Sequence, residues 1–383
     1  MTFERQNEMI EASEILAEII AGHAVHLVQC RIKGTLDLCG MLAGTVSEQD
    51  SAECRVVTLT EKLDFNTCTF EEDVSFSGPW ENTHRLRVTF ESDVQFNMSV
   101  FCGQVRFIGA QFNKTAGFDG CIFHRVSAFQ RAVFSGRTLF RTATFEGYVL
   151  FNEVQFQEDA RFVNTCFSKG VNFTDTVFGG HADFAGVYSH GKTVPLIDGV
   201  RFLRKRHGDE VGFWRFTKQT CQEAGLYREA GECFYNEQCA HFWQRFRGPD
   251  YHRISSAAKT LRWAAGIRLL PELVLGRLLF GYGERPMRVL VAAVGIIIVC
   301  GLFYGSNLAH FSISADGAGR QQLTLFEGLY FSTTTFTTLG LGDIAPIGGE
   351  NNLTRCVTMA EAFCGAFLTA LFVVCFWKRF SRG

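Results

Sequence analysis

Between Thr333 and Asp343 the chain reads Thr-Thr-Thr-Phe-Thr-Thr-Leu-Gly-Leu-Gly-Asp, a run poor in reactive side chains and rich in usable backbone. Gly340 and Gly342 can take φ > 0, which residues carrying a Cβ rarely do. Carbonyls of alternating residues can then all turn toward one axis, and the Thr338 hydroxyl adds an oxygen at the inner end of that column. Such oxygens can replace the hydration shell of a cation. No competing constellation stands elsewhere. His84, His124 and His181 have no catalytic spacing and read as solvated side chains. Gly191-Lys192-Thr193 lacks the upstream glycine of a phosphate loop. The 14 cysteines include no Cys-x-x-Cys and no paired metal spacing; they read as reduced thiols, not a disulfide framework. No enzyme, cofactor or resident metal is expected, and a net charge of −2 predicts no nucleic-acid partner.

The elements that must position this run are legible on both sides. Thr324-Leu325-Phe326-Glu327 has the spelling of a capping box and predicts a short helix from Leu325 to about Phe336, leading straight into the glycines. Apolar segments flank it at Met287–Gly305 and about Cys356–Trp377. Helix, short helix, Thr/Gly loop, helix is the order of the potassium-channel family, whose pore loop the run Thr338-Leu339-Gly340-Leu341-Gly342 closely resembles. The resemblance implies an ion-binding filter made of those five residues, K+ as the permeant ion, and four copies of the chain around one axis. It implies filter support from Thr337 and Asp343. It also implies a gating hinge at Gly365, ten residues after Arg355, with close helix packing as the alternative reason for a glycine there. From that hinge, helical spacing places Ala366, Thr369 and Val373 on the inner cavity. Glu361 is an ionisable group inside a membrane helix and so a functional candidate; it is expected to brace the filter by bonding hydroxyls such as Thr334 or Thr335. Leu341 departs from the family, which has tyrosine there. The backbone oxygens survive that change and a phenol that could hold the filter's width is lost.

A second pattern occupies the middle of the chain. Of 39 phenylalanines, an uninterrupted series runs from Phe90 through Phe96, Phe101, Phe107 and Phe112 to Phe184, the steps alternating six and five. Two residues before nearly every one stands a small or β-branched residue, such as Val94, Ala110, Ala116 or Ala132. Neither a 3.6-residue helix nor a period-2 strand has this spacing; a square solenoid with one large inward side chain per face does. The run over about 61–186 resembles the pentapeptide-repeat family, which implies a right-handed quadrilateral β-helix, here with 22 residues per coil. About five coils would make a rod on the order of 25 Å long. Residues 77–89 break the series and are expected to loop out.

The remaining segments read as connections. Residues 7–21 have apolar positions at helical spacing and predict a short amphipathic helix covering one end of the solenoid; 40–55 read as a loop. Residues 187–200 read as a linker, and 201–247 as a helical hairpin turned at Gly225. Leu269–Phe280 is too short to span a bilayer and, flanked by Arg268 and Arg277, suits a helix lying at the interface. Residues 254–288 carry Lys259, Arg262, Arg268, Arg277, Arg285 and Arg288, and Lys378, Arg379 and Arg382 follow the second span, whereas the intervening loop 306–354 has only Arg320. The positive-inside rule then places both termini in the cytoplasm of a multi-pass protein of the cell (inner) membrane.

The expected fold is multidomain: 1–60 an N-terminal helix and cap, 61–186 the solenoid, 187–285 a helical linker, and 286–383 an all-α two-span pore with a re-entrant loop. The expected function is a tetrameric potassium-selective channel in the lipid bilayer, with the cytosolic solenoid regulating it or binding an unknown protein or ligand. Only six residues follow Trp377, so regulation should arrive through the first span. The alternatives are a non-selective cation channel and a membrane-tethered scaffold with an inactive pore. A topoisomerase inhibitor, another pentapeptide-repeat role, needs a strongly acidic face; acids in 65–184 barely outnumber bases.

Overall fold

The structure is a computed structural model that describes residues 1–43, 55–77, 86–191, 193–203, 210–247, 267–306, 308–313, 322–347 and 352–380. The chain forms two compact units, Met1–Ala257 and Ala258–Gly383.

The first unit is a four-sided β-helix. Its short strands stack into four parallel sheets of eight, seven, seven and six strands. Successive coils are in register at 22 residues, as in Phe90↔Phe112, Phe101↔Phe123 and Val94↔Ala116. Each phenylalanine is buried and lies flat on its neighbour one coil away: Phe118, Phe140 and Phe162 stack at 4.9 and 5.2 Å between centroids. The small residues that precede them are buried too, filling the interior left between the rings.

The backbone explains the alternating steps. In every five-residue step the third residue of the corner lies in the left-handed region: Met98, Gly109, Gly120, Arg131, Thr142, Glu153, Asn164 and Asp175, eleven apart. The amide following it bonds back three residues, as from Ser99 to Phe96, Ala110 to Phe107 and Thr165 to Phe162. That is the signature of a tight type II-like turn. The six-residue corners lack it and need one more residue to come round. Two sides of the square are therefore turned tightly and two openly.

The solenoid is longer than its phenylalanine series. Thr2–Gln6 pairs with Ala24–Val28, again 22 residues on, and Leu27↔Phe65 and Ile32↔Phe70 continue the ladder with aliphatic side chains in place of rings. Residues 1–60 are thus not only a helix and cap. The longest sheet, with eight strands, spans about 34 Å from first strand to last at the usual strand spacing, instead of the 25 Å expected from five coils. The expected helix over 7–21 is shorter, Ala12–Ile20, because Met9 and Ile10 are drawn into a strand against Arg31 and Ile32. Two coils carry insertions: Val25 pairs with Leu63, 38 residues on, and Leu63 with Val94, 31 on. The loops expected at 40–55 and 77–89 fall at these excesses and lie largely outside the described residues; Leu86–Phe90 is itself a strand.

The described residues of 187–200 are not a linker. They form a last coil, with Asn172 bridged to Leu196 and Phe178 paired with Phe202. The hairpin follows as Val211–Glu223 and Tyr227–Arg247, reversed at Gly225 with φ +75°. Phe213 stands edge-on to Phe184 and Phe202 at 5.1 and 5.2 Å and closes that end of the core. Ile15, Leu16 and Ile19 join the same core. Both ends of the ladder are therefore covered, as a stack of coils requires.

The second unit holds two long apolar helices, Pro286–Tyr304 and Leu353–Phe380, with Leu325–Phe336 between them. Each long helix meets the length of about 20 residues a bilayer needs, with mean hydropathy 2.3 and 2.0. Before them the chain is helical from Ile267 and winds as a π-helix over Glu272–Leu279. Ile267, Leu270, Val274 and Leu278 are exposed on it.

Candidate functional site: a Thr/Gly loop between two apolar helices

The short helix Leu325–Phe336 starts as its sequence predicts. The Thr324 hydroxyl accepts from the Glu327 amide at 3.3 Å while the Glu327 carboxylate accepts from the Thr324 amide at 2.7 Å. At the other end the helix runs into the loop without a break: Thr338 and Leu339 amides donate to the Thr335 and Thr334 carbonyls at 3.0 and 2.9 Å. The partial negative charge of that helix end is thereby aimed at the loop, where it favours a cation.

In the loop the backbone alternates. Thr338, Gly340 and Gly342 have φ of +57°, +51° and +77°, while Leu339 and Leu341 between them do not. The two glycines supply the left-handed positions expected of them; Thr338 is a third, which its residue type did not reveal. Residues Thr337 to Asp343 are exposed in the single chain, leucines included. Thr337 Oγ1 donates to the Thr333 carbonyl at 2.7 Å, tying it to the helix. Asp343 lies beside Tyr330 of the short helix and accepts from the Ile344 amide at 3.1 Å.

Beyond Asp343 the chain enters a two-stranded antiparallel sheet, Ile344–Pro346 against Phe311–Ile313, which has no counterpart in the sequence reading. Phe311 and Ile344 are buried with Tyr304, Ala309, Leu323 and Phe331 in one cluster.

Glu361 is buried in the second long helix, but its partners are not Thr334 or Thr335. It accepts from Tyr304 Oη at 2.7 Å and from Ser332 Oγ, whereas Thr334 Oγ1 turns back to the Phe331 carbonyl. Helical geometry decides this: Ser332 faces the long helices, and its hydroxyl also lies 2.9 Å from the Ile297 carbonyl. Tyr304 and Ser332 lie 57 and 29 residues from Glu361, with no local signal linking them.

Gly365 is buried, and a Cβ there would overlap the Phe336 carbonyl oxygen. Close packing under the end of the short helix accounts for this glycine, and the helix Leu353–Phe380 continues through it. Gly301 and Gly328 serve a similar close crossing between the first long helix and the short one, the usual small-residue device between membrane helices. Ala366, Thr369 and Val373 lie on the exposed side of the second helix, together with Phe363, Phe367 and Val374; Leu368 and Cys375 lie on its buried side.

The inner end of that helix is fastened to the turn before the first. Lys378 Nζ pairs with Glu284 at 2.8 Å and donates to the Tyr282 carbonyl at 3.2 Å, and Arg379 donates to the Glu284 carbonyl at 3.2 Å. Gly281, Tyr282 and Gly283 all have positive φ, so the turn wraps closely around the lysine.

Comparison with known proteins agrees with this geometry. The ion channel family matches residues 287–382, and pentapeptide repeats, in nine copies, match residues 65–122 and 118–177. The chain is 32% identical over 89 residues to two pore potassium channel a of Oryza sativa subsp. japonica. That match covers 23% of this chain and 24% of the relative, so the chain spans about a quarter of its length. No solved structure matches. The two apolar helices and the family match thus mark residues 287–382 as an ion-channel domain of a membrane protein. More particularly, residues 287–382 are a potassium-channel-like domain, fused to a pentapeptide-repeat β-helix.

Proposed function

We propose that this chain is one subunit of a homotetrameric, potassium-selective channel that conducts through Thr338, Leu339, Gly340, Leu341 and Gly342. The observation that carries the reading is the alternation of left-handed and ordinary backbone at Thr338, Gly340 and Gly342, which lets a column of carbonyls replace the water around an ion. One chain supplies one side of that column, and the exposed loop, with Leu339 and Leu341 in it, is what other copies would cover. Ala366, Thr369 and Val373 then face the cavity below. The charge bias of the flanking segments supports cytoplasmic termini in the cell (inner) membrane. The β-helix acts as a regulatory or partner-binding module. The chain leads from it into the elbow at Gly281–Gly283, whose ties to Lys378 and Arg379 give that module a route to the inner end of the second helix.

A second reading, a non-selective cation pore, is favoured by one residue: Leu341 cannot make the hydrogen bond a tyrosine would. Flux measurement separates conduction from a scaffold role. The full chain in liposomes is expected to pass K+ down its gradient, and Gly340→Ala, which forces a Cβ onto φ +51°, is expected to reduce that flux at least roughly tenfold through the strain at this position. Liposomes that hold their gradient with folded tetramer present would leave only the scaffold.

A further inference from the structure

With leucine at 341, something other than a filter phenol must fix the distance between the loop's two ends. Tyr304, the last residue of the first long helix, is fully buried and reaches both. Its ring stands edge-on to Phe331 at 5.1 Å, on the short helix that leads into the loop. It also stands edge-on to Phe311 at 5.5 Å, on the strand paired with Ile344–Pro346, which leads out of the loop. Phe311 and Phe331 touch each other as well, at 5.0 Å. The Tyr304 hydroxyl is spent on Glu361, whose second oxygen holds Ser332 on the same short helix. One side chain thus joins the first helix, the helix before the loop, the strand Phe311–Ile313 that pairs with the segment after it, and the second helix. Edge-on ring pairs fix orientation as well as distance, and a buried network with every member satisfied is rigid.

We infer that Tyr304 is the positioning residue of the filter, setting through Phe311 and Phe331 the span over which Thr338–Gly342 is stretched and through Glu361 the depth at which it is held. The inference rests on the channel reading above. A hydroxyl placed behind the loop takes over the bracing that Leu341 cannot give from within it. Glu361 is then an intermediate of that brace and not a ligand of the ion.

Tyr304→Phe in the full chain tests this, since it removes one oxygen and keeps the ring. Two properties are read in the assembled tetramer. One is the K+/Na+ permeability ratio in planar bilayers; the other is amide hydrogen exchange over the whole second unit. The ratio is expected to fall roughly tenfold, the scale of one lost buried hydrogen bond. Exchange is expected to quicken at 338–346 and to stay unchanged along Pro286–Tyr304 and Leu353–Phe380. Glu361→Gln, which can still bond both hydroxyls, should stay within about twofold of the wild type, while Glu361→Leu should reproduce Tyr304→Phe. A wild-type ratio together with unchanged exchange at 338–346 in Tyr304→Phe would overturn the inference, and so would exchange that quickens equally along both long helices, the mark of a merely structural role. If Tyr304→Phe does not assemble, Phe311→Leu reaches the same strand from its other side and is judged by the same readouts. A wild type that passes K+ and Na+ equally would refute potassium selectivity, not the brace, which the exchange pattern then decides.

Discussion

Phe140 lies flat between Phe118 and Phe162 and edge-on to Phe129 and Phe151, with no water-accessible surface. Removing it leaves a cavity that the neighbouring coils, held by their own strand pairs, cannot close. Phe140→Ala should therefore cost about 3–5 kcal/mol, while Arg137→Ala, exposed three residues away, should cost under about 0.5. Urea unfolding of residues 1–247 checks the pair, and equal shifts would contradict the ladder. This ladder was legible because one residue type repeats at two strictly alternating steps. It stopped being legible at Leu27 and Ile32, where aliphatic side chains do the same packing without the same letter. The left-handed Thr338 was hidden for the opposite reason, since threonine carries no signature of positive φ and takes it only because the helix end and the glycines on its far side require it.

At the scale of elements, the cap Thr324–Glu327 was readable because both partners lie within four residues. The brace from Tyr304 to Glu361 was not, because its partners meet only when three helices cross. The helical hairpin carries a similar hidden contact. Glu237, buried in its second helix, accepts from Lys218 Nζ at 2.6 Å and Arg215 Nε at 3.1 Å. Burial works to raise its pKa, but the hydrogen bonds and charges of those two cations prevail and hold the carboxyl below its ordinary value. A carboxyl depressed on folding adds stability that is complete above its unfolded value, about 4.3, and is lost as pH falls through the folded one. His241, 3.8 Å from the same carboxylate, is lowered chiefly by its own burial and adds a loss of the same sign that begins nearer pH 6.5. Thermal unfolding of the first unit should therefore fall steadily from pH 7 to pH 3. Glu237→Gln should start lower at pH 7 and fall less steeply below pH 5. Parallel curves for the two proteins would show that the ion pairs do not hold the hairpin.

At the scale of the whole molecule, the order of parts was legible and their limits were not. Two apolar spans around a Thr/Gly loop follow from composition alone. The solenoid's true extent depends on strand pairing that no single segment announces, as in Thr2–Gln6 and the last coil to Phe202. Ala12–Ile20 packs into the core at one end of the stack and Phe213 at the other. The solenoid's chemistry lies outside its core, where polar side chains pair along the coils, Arg131 with Glu153 and His124 with Glu146.

The measurement that bears most directly on the whole account is the reversal potential of the reconstituted full chain with K+ on one side and Na+ on the other. The account predicts a reversal well away from zero on the potassium side in the wild type, held or sharpened in Leu341→Tyr, where a phenol would reinforce the span already set by Tyr304. Reversal near zero in both proteins would contradict it, and the pore would have to be described as a non-selective cation channel.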